Sequence, residues 1–147
     1  MSNTFEIEDD IIMKYLGDDE EIVIHDGVKD IFFEVFFGNT KIKSVVIPGS
    51  ISSLIAFLFE RCPALTSVEL CEGVADIGLG AFMKCKSLTS VILPRSLIHI
   101  GKSAFEGCRS LKYIYYRGTK FEWDALKKDN NWDLLTGDYT VIYEYNK

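Results

Sequence analysis

The sequence predicts an α/β repeat solenoid. The expected form is a right-handed superhelix with a parallel concave β-sheet and short helical or 3₁₀ turns on its back. A β-hairpin should cap the N-terminus, and a helix plus a strand the C-terminus. Three observations lead there. Two adjacent units of 23 residues, starting at Cys62 and Cys85, match at Leu65/Leu88, Val68/Val91, Leu70/Leu93, Ile77/Ile100 and the pairs Ala81-Phe82/Ala104-Phe105. The same period runs beyond them in both directions, and a period of this size marks stacked repeats. The two ends break the pattern, as a stack must where its last apolar face needs covering.

Phe5-Glu6-Ile7-Glu8 alternates apolar and polar, and Ile11 to Tyr15 does so less strictly. Asp9-Asp10 between them is a turn signal, so a hairpin over the first repeat is expected. Residues 1–20 form the N-terminal cap in this reading, 21–118 the repeats and 119–147 the C-terminal cap of a single domain.

From residue 21 the columns are long. Phe36, Phe59, Phe82 and Phe105 form an unbroken phenylalanine column. Asn39, Cys62, Cys85 and Cys108 form the next, followed by Ile42, Leu65, Leu88 and Leu111. Val45, Val68, Val91 and Ile114 then precede Ile24, Ile47, Leu70, Leu93 and Tyr116. A segment such as Leu65-x-x-Val68-x-Leu70 reads as a short strand with its apolar members inward. Equivalent positions in parallel strands lie about 4.8 Å apart, so like shapes stack. Pro48 and Pro94 end the strand ladder because proline has no N–H to donate. Ala-Phe-x-x-Cys has helical spacing and predicts one short turn per coil on the back.

These residues carry a resemblance. Ile77 through Pro94 fits Ile-x-x-x-Ala-Phe-x-x-Cys-x-x-Leu-x-x-Val-x-Leu-Pro at every marked position. The chain thereby resembles the BspA-type leucine-rich repeats, over about residues 5–145. Tyr116, Gly118, Thr119 and Trp123 are similar to the C-terminal end of that family's repeats. The commoner leucine-rich repeat has an Asn ladder where this chain has Gly73, Ser96 and Thr119. The repeat over residues 40–61 is degenerate, with Leu58 in place of Ala, and Asn39 stands in place of Cys. The resemblance implies a recognition module, often on bacterial cell surfaces.

After Leu111 the composition changes: six of the seven tyrosines and both tryptophans follow it. Thr119-Lys-Phe-Glu122 is a capping box, which predicts a helix over residues 121–128. Asp129-Asn-Asn131 should end it, and residues 140–145 should form a closing strand. Trp123, Leu126 and Trp132 are the natural covers of the last core face.

Charge is uneven. Residues 1–30 hold ten acids against two lysines, a balance of −8; with −6 for the whole chain, the remainder carries +2. The acidic end is either a solvated, aggregation-blocking end or a docking patch for a basic partner. No basic stripe exists to neutralise phosphates, so nucleic acid is not an expected partner. No apolar run reaches the length of a membrane helix, so membrane insertion is not expected. The opening residues are acidic and do not read as a secretory signal, so the chain as written reads as cytoplasmic. The resemblance points instead to the cell surface.

Little catalytic chemistry is legible. Cys62, Cys85 and Cys108 read as small buried hydrophobes, and Cys71, in the proline column, as the more reactive thiol. His25 and His99 fall in different columns, three coils apart, and both read as surface residues. Gly78-Leu-Gly80 lacks the third glycine of a dinucleotide loop. The runs Asp9-Asp10 and residues 18–21 do not fit a calcium loop. No catalytic residue, cofactor or metal ligand is assigned, and enzymatic activity is not expected.

A parallel stack instead offers a surface. Between the inward residues lie outward columns: Glu20, Lys43, Thr66, Thr89, Lys112, then Glu21, Ser44, Ser67, Ser90, Tyr113, then Val23, Val46, Glu69, Ile92, Tyr115. The candidate binding residues on this concave face are Val46, Thr66, Ser67, Glu69, Thr89, Ser90, Ile92, Lys112, Tyr113 and Tyr115. Exposed apolar columns suggest a contact site, although Val and Ile also simply favour strands. Two functions stay open. One is a scaffold that binds another protein through this sheet. The other is a surface-adhesion or carbohydrate-binding module using the C-terminal aromatics, which requires Trp123 and Trp132 to be exposed.

Overall fold

The computed structural model describes residues 4–147; the first three residues of the acidic lead-in lie outside the described residues. The chain enters as a hairpin, β1 (Phe5–Glu8) and β2 (Ile11–Tyr15), paired antiparallel. Asp9 and Asp10 both have positive φ (50° and 65°), as a two-residue turn matching the strand twist requires.

Six strands then build one parallel sheet. They are β3 (Glu21–Val23), β5 (Ser44–Ile47), β7 (Ser67–Leu70), β9 (Ser90–Leu93), β11 (Tyr113–Tyr116) and β13 (Thr140–Ile142). Their order in space is their order in sequence, and β3 to β11 pair in the 23-residue register expected. A second ladder of two-residue strands runs beside it. It contains β4 (Asp30–Ile31), β6 (Ser53–Leu54), β8 (Asp76–Ile77), β10 (His99–Ile100) and β12 (Lys127–Lys128). β6, β8, β10 and β12 form one sheet, while β4 pairs with β2 of the hairpin.

Inward residues form one continuous core. Phe36, Phe59, Phe82 and Phe105 are buried and stack ring on ring, with centroids 5.0, 5.5 and 5.2 Å apart and planes within 12°. Offset stacking of this kind adds to the area each ring buries. The column is closed at both ends by other aromatics. Phe5 and Tyr15 of the hairpin lie against Phe36 at 6.2 and 5.6 Å, and Trp132 meets Phe105 edge-on at 6.3 Å.

The cysteines do more than fill space. Cys62, Cys85 and Cys108 each donate the thiol to a phenylalanine carbonyl one coil back: Phe36, Phe59 and Phe82, at 3.0–3.1 Å. The Phe36 and Phe82 carbonyls also accept from the amides of Asn39 and Cys85, at 3.1 and 3.3 Å, so there the thiol is a second donor to an oxygen with two lone pairs. Asn39, in the first coil, uses its side-chain oxygen instead to accept from the amides of Lys41 and Ile42. Burial pushes the Cys62 thiol up to about 11 and raises Cys85 and Cys108 further, so all three are protonated donors at neutral pH.

The back contains tight turns rather than helices. Amides at Met83, Cys85 and Glu60 reach carbonyls three residues earlier, which is 3₁₀-type bonding. Each turn is also bonded to the next coil. The amides of Phe57, Phe59 and Arg61 donate to the carbonyls of Leu79, Ala81 and Met83 at 2.7–2.8 Å. Those of Gly80, Phe82 and Lys84 repeat this with Lys102, Ala104 and Glu106 at 2.7–3.0 Å. The backbone conformation recurs: Glu34, Phe57, Gly80 and Ser103 all have φ between 58° and 65°, and Gly38, Arg61, Lys84 and Gly107 between 59° and 78°. Left-handed backbone is unfavourable for non-glycine residues, so the inter-coil bonds hold it in place.

Serines replace the missing Asn ladder. The Ser96 hydroxyl accepts from the Gly73 amide and donates to the Val74 carbonyl, both at 2.8 Å. Ser50 makes the same staple to Gly27 and Val28 at 3.2 and 2.6 Å.

The C-terminal cap departs from expectation in detail. The helix α1 spans Lys120–Ala125, shorter than predicted, with the Thr119–Glu122 capping box formed. Leu126 is extended, which turns Lys127–Lys128 onto the edge of β10 as β12. The pairing available at that edge ends the helix before Asp129. The closing strand stops at Ile142 rather than residue 145. Trp123 is buried against Tyr116 and Trp132. Arg95 clamps the cap from the last full repeat, with Nε and Nη2 donating to Glu122 at 3.0 and 2.7 Å.

Phe82→Ala should cost about 3–5 kcal/mol, in line with other buried phenylalanine truncations. Urea denaturation followed by circular dichroism checks this; an unchanged midpoint would contradict the stacked column. Thiol labelling of the native protein should modify half-buried Cys71 first, the other three reacting only on unfolding.

Candidate recognition surface

The strands of the large sheet alternate buried and outward residues, half-buried–buried–half-buried–buried in β5, β7 and β9. Val46, Ser67, Glu69, Ser90 and Ile92 lie half-buried on the outward side, and Lys112 is exposed. Thr66 and Thr89 are there too, but their hydroxyls are committed. Thr66 Oγ1 donates to the Lys43 carbonyl and Thr89 Oγ1 to the Thr66 carbonyl, at 3.0 and 3.1 Å. They serve as a ladder between coils, leaving mainly their methyls to a ligand.

The C-terminal third of this face is aromatic. Tyr113 stacks on Tyr115 with centroids 5.6 Å apart, and Tyr115 meets Tyr145 at 4.6 Å. Arg117 lies over the Tyr145 ring at 5.4 Å, donates to the Tyr145 and Lys147 carbonyls, and pairs with Glu69 at 3.5 Å. Tyr113 is 43% exposed, whereas Tyr115 is held between its two neighbours. The sequence singled out Tyr113, Tyr115 and Glu69 but not Tyr145 or Arg117. The cap breaks the 23-residue period, since Tyr115 pairs with Ile142, 27 residues on, so no column pointed to them.

The acidic end sits at the other end of the same face. Residues 18–21 border a cleft of about 640 Å³ with Val23, Lys43, Ser44 and Thr66. Asp18 pairs with Lys41 at 2.7 Å, Glu20 with Lys43 at 3.1 Å, and Asp19 accepts the Tyr15 hydroxyl at 2.7 Å. Lysines one coil on thus neutralise much of it. Away from the large sheet, Phe32 and Phe33 are exposed with ring centroids 4.5 Å apart, and Phe37, Phe57 and Leu79 are exposed too, which the periodicity did not reveal.

His25 is exposed, as expected, but His99 is not a simple surface residue. It is half-buried, with Nδ1 2.6 Å from Asp76 and Nε2 2.9 Å from Asp129. Asp76 is its own column one coil back, and Asp129 belongs to the cap, outside any period. Burial works against the imidazolium, but hydrogen bonds to the two carboxylates outweigh it and raise its pKa. Both ring nitrogens are engaged, so neither is left to take a proton from a substrate. His99 ties the cap to the repeats.

Against this geometry, comparison with known proteins is specific. A family model for the BspA-type leucine-rich repeat region matches residues 7–130 in six copies. The chain belongs to that family. A search of curated proteins finds no match. Among solved structures, it is similar to the leucine-rich repeat protein TpLRR of T. pallidum. The identity is 28% and the TM-score 0.70, over 87% of this chain and 61% of that one. It is also similar to a leucine-rich cell surface protein of Faecalibacterium prausnitzii. Here the identity is 27% and the TM-score 0.61, over 81% of this chain and 38% of that one. The pneumococcal vaccine antigen PcpA shares the fold at 20% identity and TM-score 0.63, over 91% and 43%. The chain thus spans less than two thirds of the length of each of these proteins. Among the described residues, no helix is long and apolar enough to cross a membrane.

The His99 tie has a pH signature. Its folded pKa is raised from 6.5, so its contribution is complete below that value and is lost as pH rises through the folded pKa. The melting temperature should therefore fall as pH rises above 6.5, and His99→Gln should flatten that part of the curve. A curve with the same slope in the variant would remove His99 from the cap's anchorage.

Proposed function

We propose that this chain is a non-enzymatic scaffold that recognises another protein through its concave sheet. The observation that carries this is the stacked pair Tyr113–Tyr115, continued by Ile92 and Val46 along one regular face. Tyrosine suits such a site because its ring contributes area while its hydroxyl keeps a polar contact. Binding energy at interfaces concentrates in a few anchors of this type. The ladder beneath depends on none of these outward side chains, so the face is free to differ from one repeat protein to another. The related Faecalibacterium protein is a cell surface protein, and a cell-surface setting for this chain is part of the proposal.

The carbohydrate-binding alternative has lost its tryptophans: Trp123 is buried, and Trp132 packs between Phe105, Trp123 and Tyr139.

Affinity capture from an extract of the source cells, with wild type beside Tyr113→Ala and Ile92→Asp, tests the proposal. Each variant should keep the wild-type circular dichroism spectrum and weaken retention of the partner by about tenfold or more, as hot-spot truncations of about 2 kcal/mol do. Equal retention by both variants would move the site off the concave face.

A further inference from the structure

A groove runs along the edge where the back turns lead into the strands of the large sheet. It is about 770 Å³ in volume, and Arg61, Lys84, Lys86 and Arg109 line it around Pro63 and Leu135. Arg61 and Lys84 share one column and Lys86 and Arg109 another. Neighbouring coils lie about 4.8 Å apart, and like charges stacked directly across a ladder repel. At the N-terminal end of the same edge, each cation is matched by an acid one coil back, Lys41 by Asp18 and Lys43 by Glu20. In the groove that matching stops. Arg61 has its sequence neighbour Glu60 at 3.3 Å. Glu106, also in the lining, accepts the Ser103 hydroxyl at 2.7 Å. Among the described residues, no ion pair joins Lys84, Lys86 or Arg109 to an acid. Beside these cations Leu135 stands 70% exposed. Two exposed apolar side chains, Pro63 and Leu135, thus sit among four cations, three of them without an acid in ion-pair contact among the described residues, in a chain of net charge −6.

We propose that this groove binds an acidic, extended segment of a partner protein, with one apolar side chain resting on Leu135 and Pro63. Carboxylates two residues apart on an extended strand point to the same side, about 6.6 Å apart. That spacing lets them engage cations from neighbouring coils, and arginine can take a carboxylate through two hydrogen bonds. The exposed apolar floor favours a peptide over a uniformly charged polymer. So do Glu106 in the lining and the chain's overall negative charge, both of which repel a dense polyanion. The lining residues immediately precede β7, β9 and β11, so a bound segment can continue onto the sheet. The groove stands independently of the concave-sheet reading, because none of its cations belongs to that face.

Fluorescence anisotropy of a labelled peptide repeating Asp-Glu-Leu tests this, with an Asn-Gln-Leu repeat and a heparin oligosaccharide as comparison probes. Wild type should bind the acidic peptide, prefer it to both comparison probes, and lose affinity as salt screens the charges. Lys84→Glu with Arg109→Glu should weaken binding about tenfold or more, while Tyr113→Ala should leave it unchanged. Both reversed positions are exposed, and Lys84→Gln with Arg109→Gln provides a neutral second variant whose fold circular dichroism checks. Failure of the acidic peptide to bind, undiminished binding by both double variants, or tighter binding of heparin than of the peptide would each overturn the proposal.

Discussion

Each coil of this protein leaves many of its amides and carbonyls without partners until the next coil arrives. The large sheet, the two-residue ladder and the back turns all donate along the stack, beside the short turns closed within each coil. Buried backbone groups must be paired, so the 23-residue spacing is a condition for burying any of the core. The Phe36–Phe105 column is a consequence of that register. So is the cysteine column, whose thiols reach the phenylalanine carbonyls of the preceding coil. A coil with its inward residues intact but its register shifted would strand these groups, and for that reason no repeat can stand alone.

The ends solve the same problem with different chemistry. At the N-terminus the hairpin supplies Ile12, Phe5 and Tyr15 to the first open face. At the C-terminus Trp132 replaces the next phenylalanine, and its carbonyl takes the Phe105 amide at 2.8 Å. Polar ties then hold the cap from two sides, His99 to Asp129 and Arg95 to Glu122. The Arg95 hydrogen bonds hold the Glu122 carboxyl down at about 2, with the Thr119 amide assisting. The two ties respond to opposite ends of the pH scale, since one gains from a raised imidazole and the other from a depressed carboxyl.

Periodicity made the core legible. Every inward column from Ile42 to Tyr116 could be read from spacing, because identical backbone positions receive identical burial. What escaped are interactions that use the period without repeating a side chain. The back ladder is made of backbone, so Phe57, Arg61 and Lys84 gave no sign that their amides bind the next coil. Gly73, Ser96 and Thr119 looked like a missing Asn ladder, whereas Ser96, with Ser50 two coils back, supplies its replacement. Tyr145, Arg117 and Asp129 owe their places to a cap whose spacing differs from the repeats, and His99 looked solvent-facing because its second carboxylate comes from there. The outward residues Val46 and Ile92 were placed on the correct face by alternation alone, which says where they point and not what they touch. Most of the stability resides in inward side chains and in the backbone, joined by the Thr66 and Thr89 hydroxyls on the sheet face and the polar ties of the cap.

Native-state hydrogen exchange, resolved by residue, tests the stacked register most directly. The amides of Phe59, Arg61, Phe82 and Lys84 on the back should be protected to a degree comparable with those of Val68 and Val91 in the sheet, with protection declining toward both caps. Exchange of the back amides at the rate of exposed loops, beside a protected sheet, would show that the coils are joined on one face alone and contradict the register as the source of the fold.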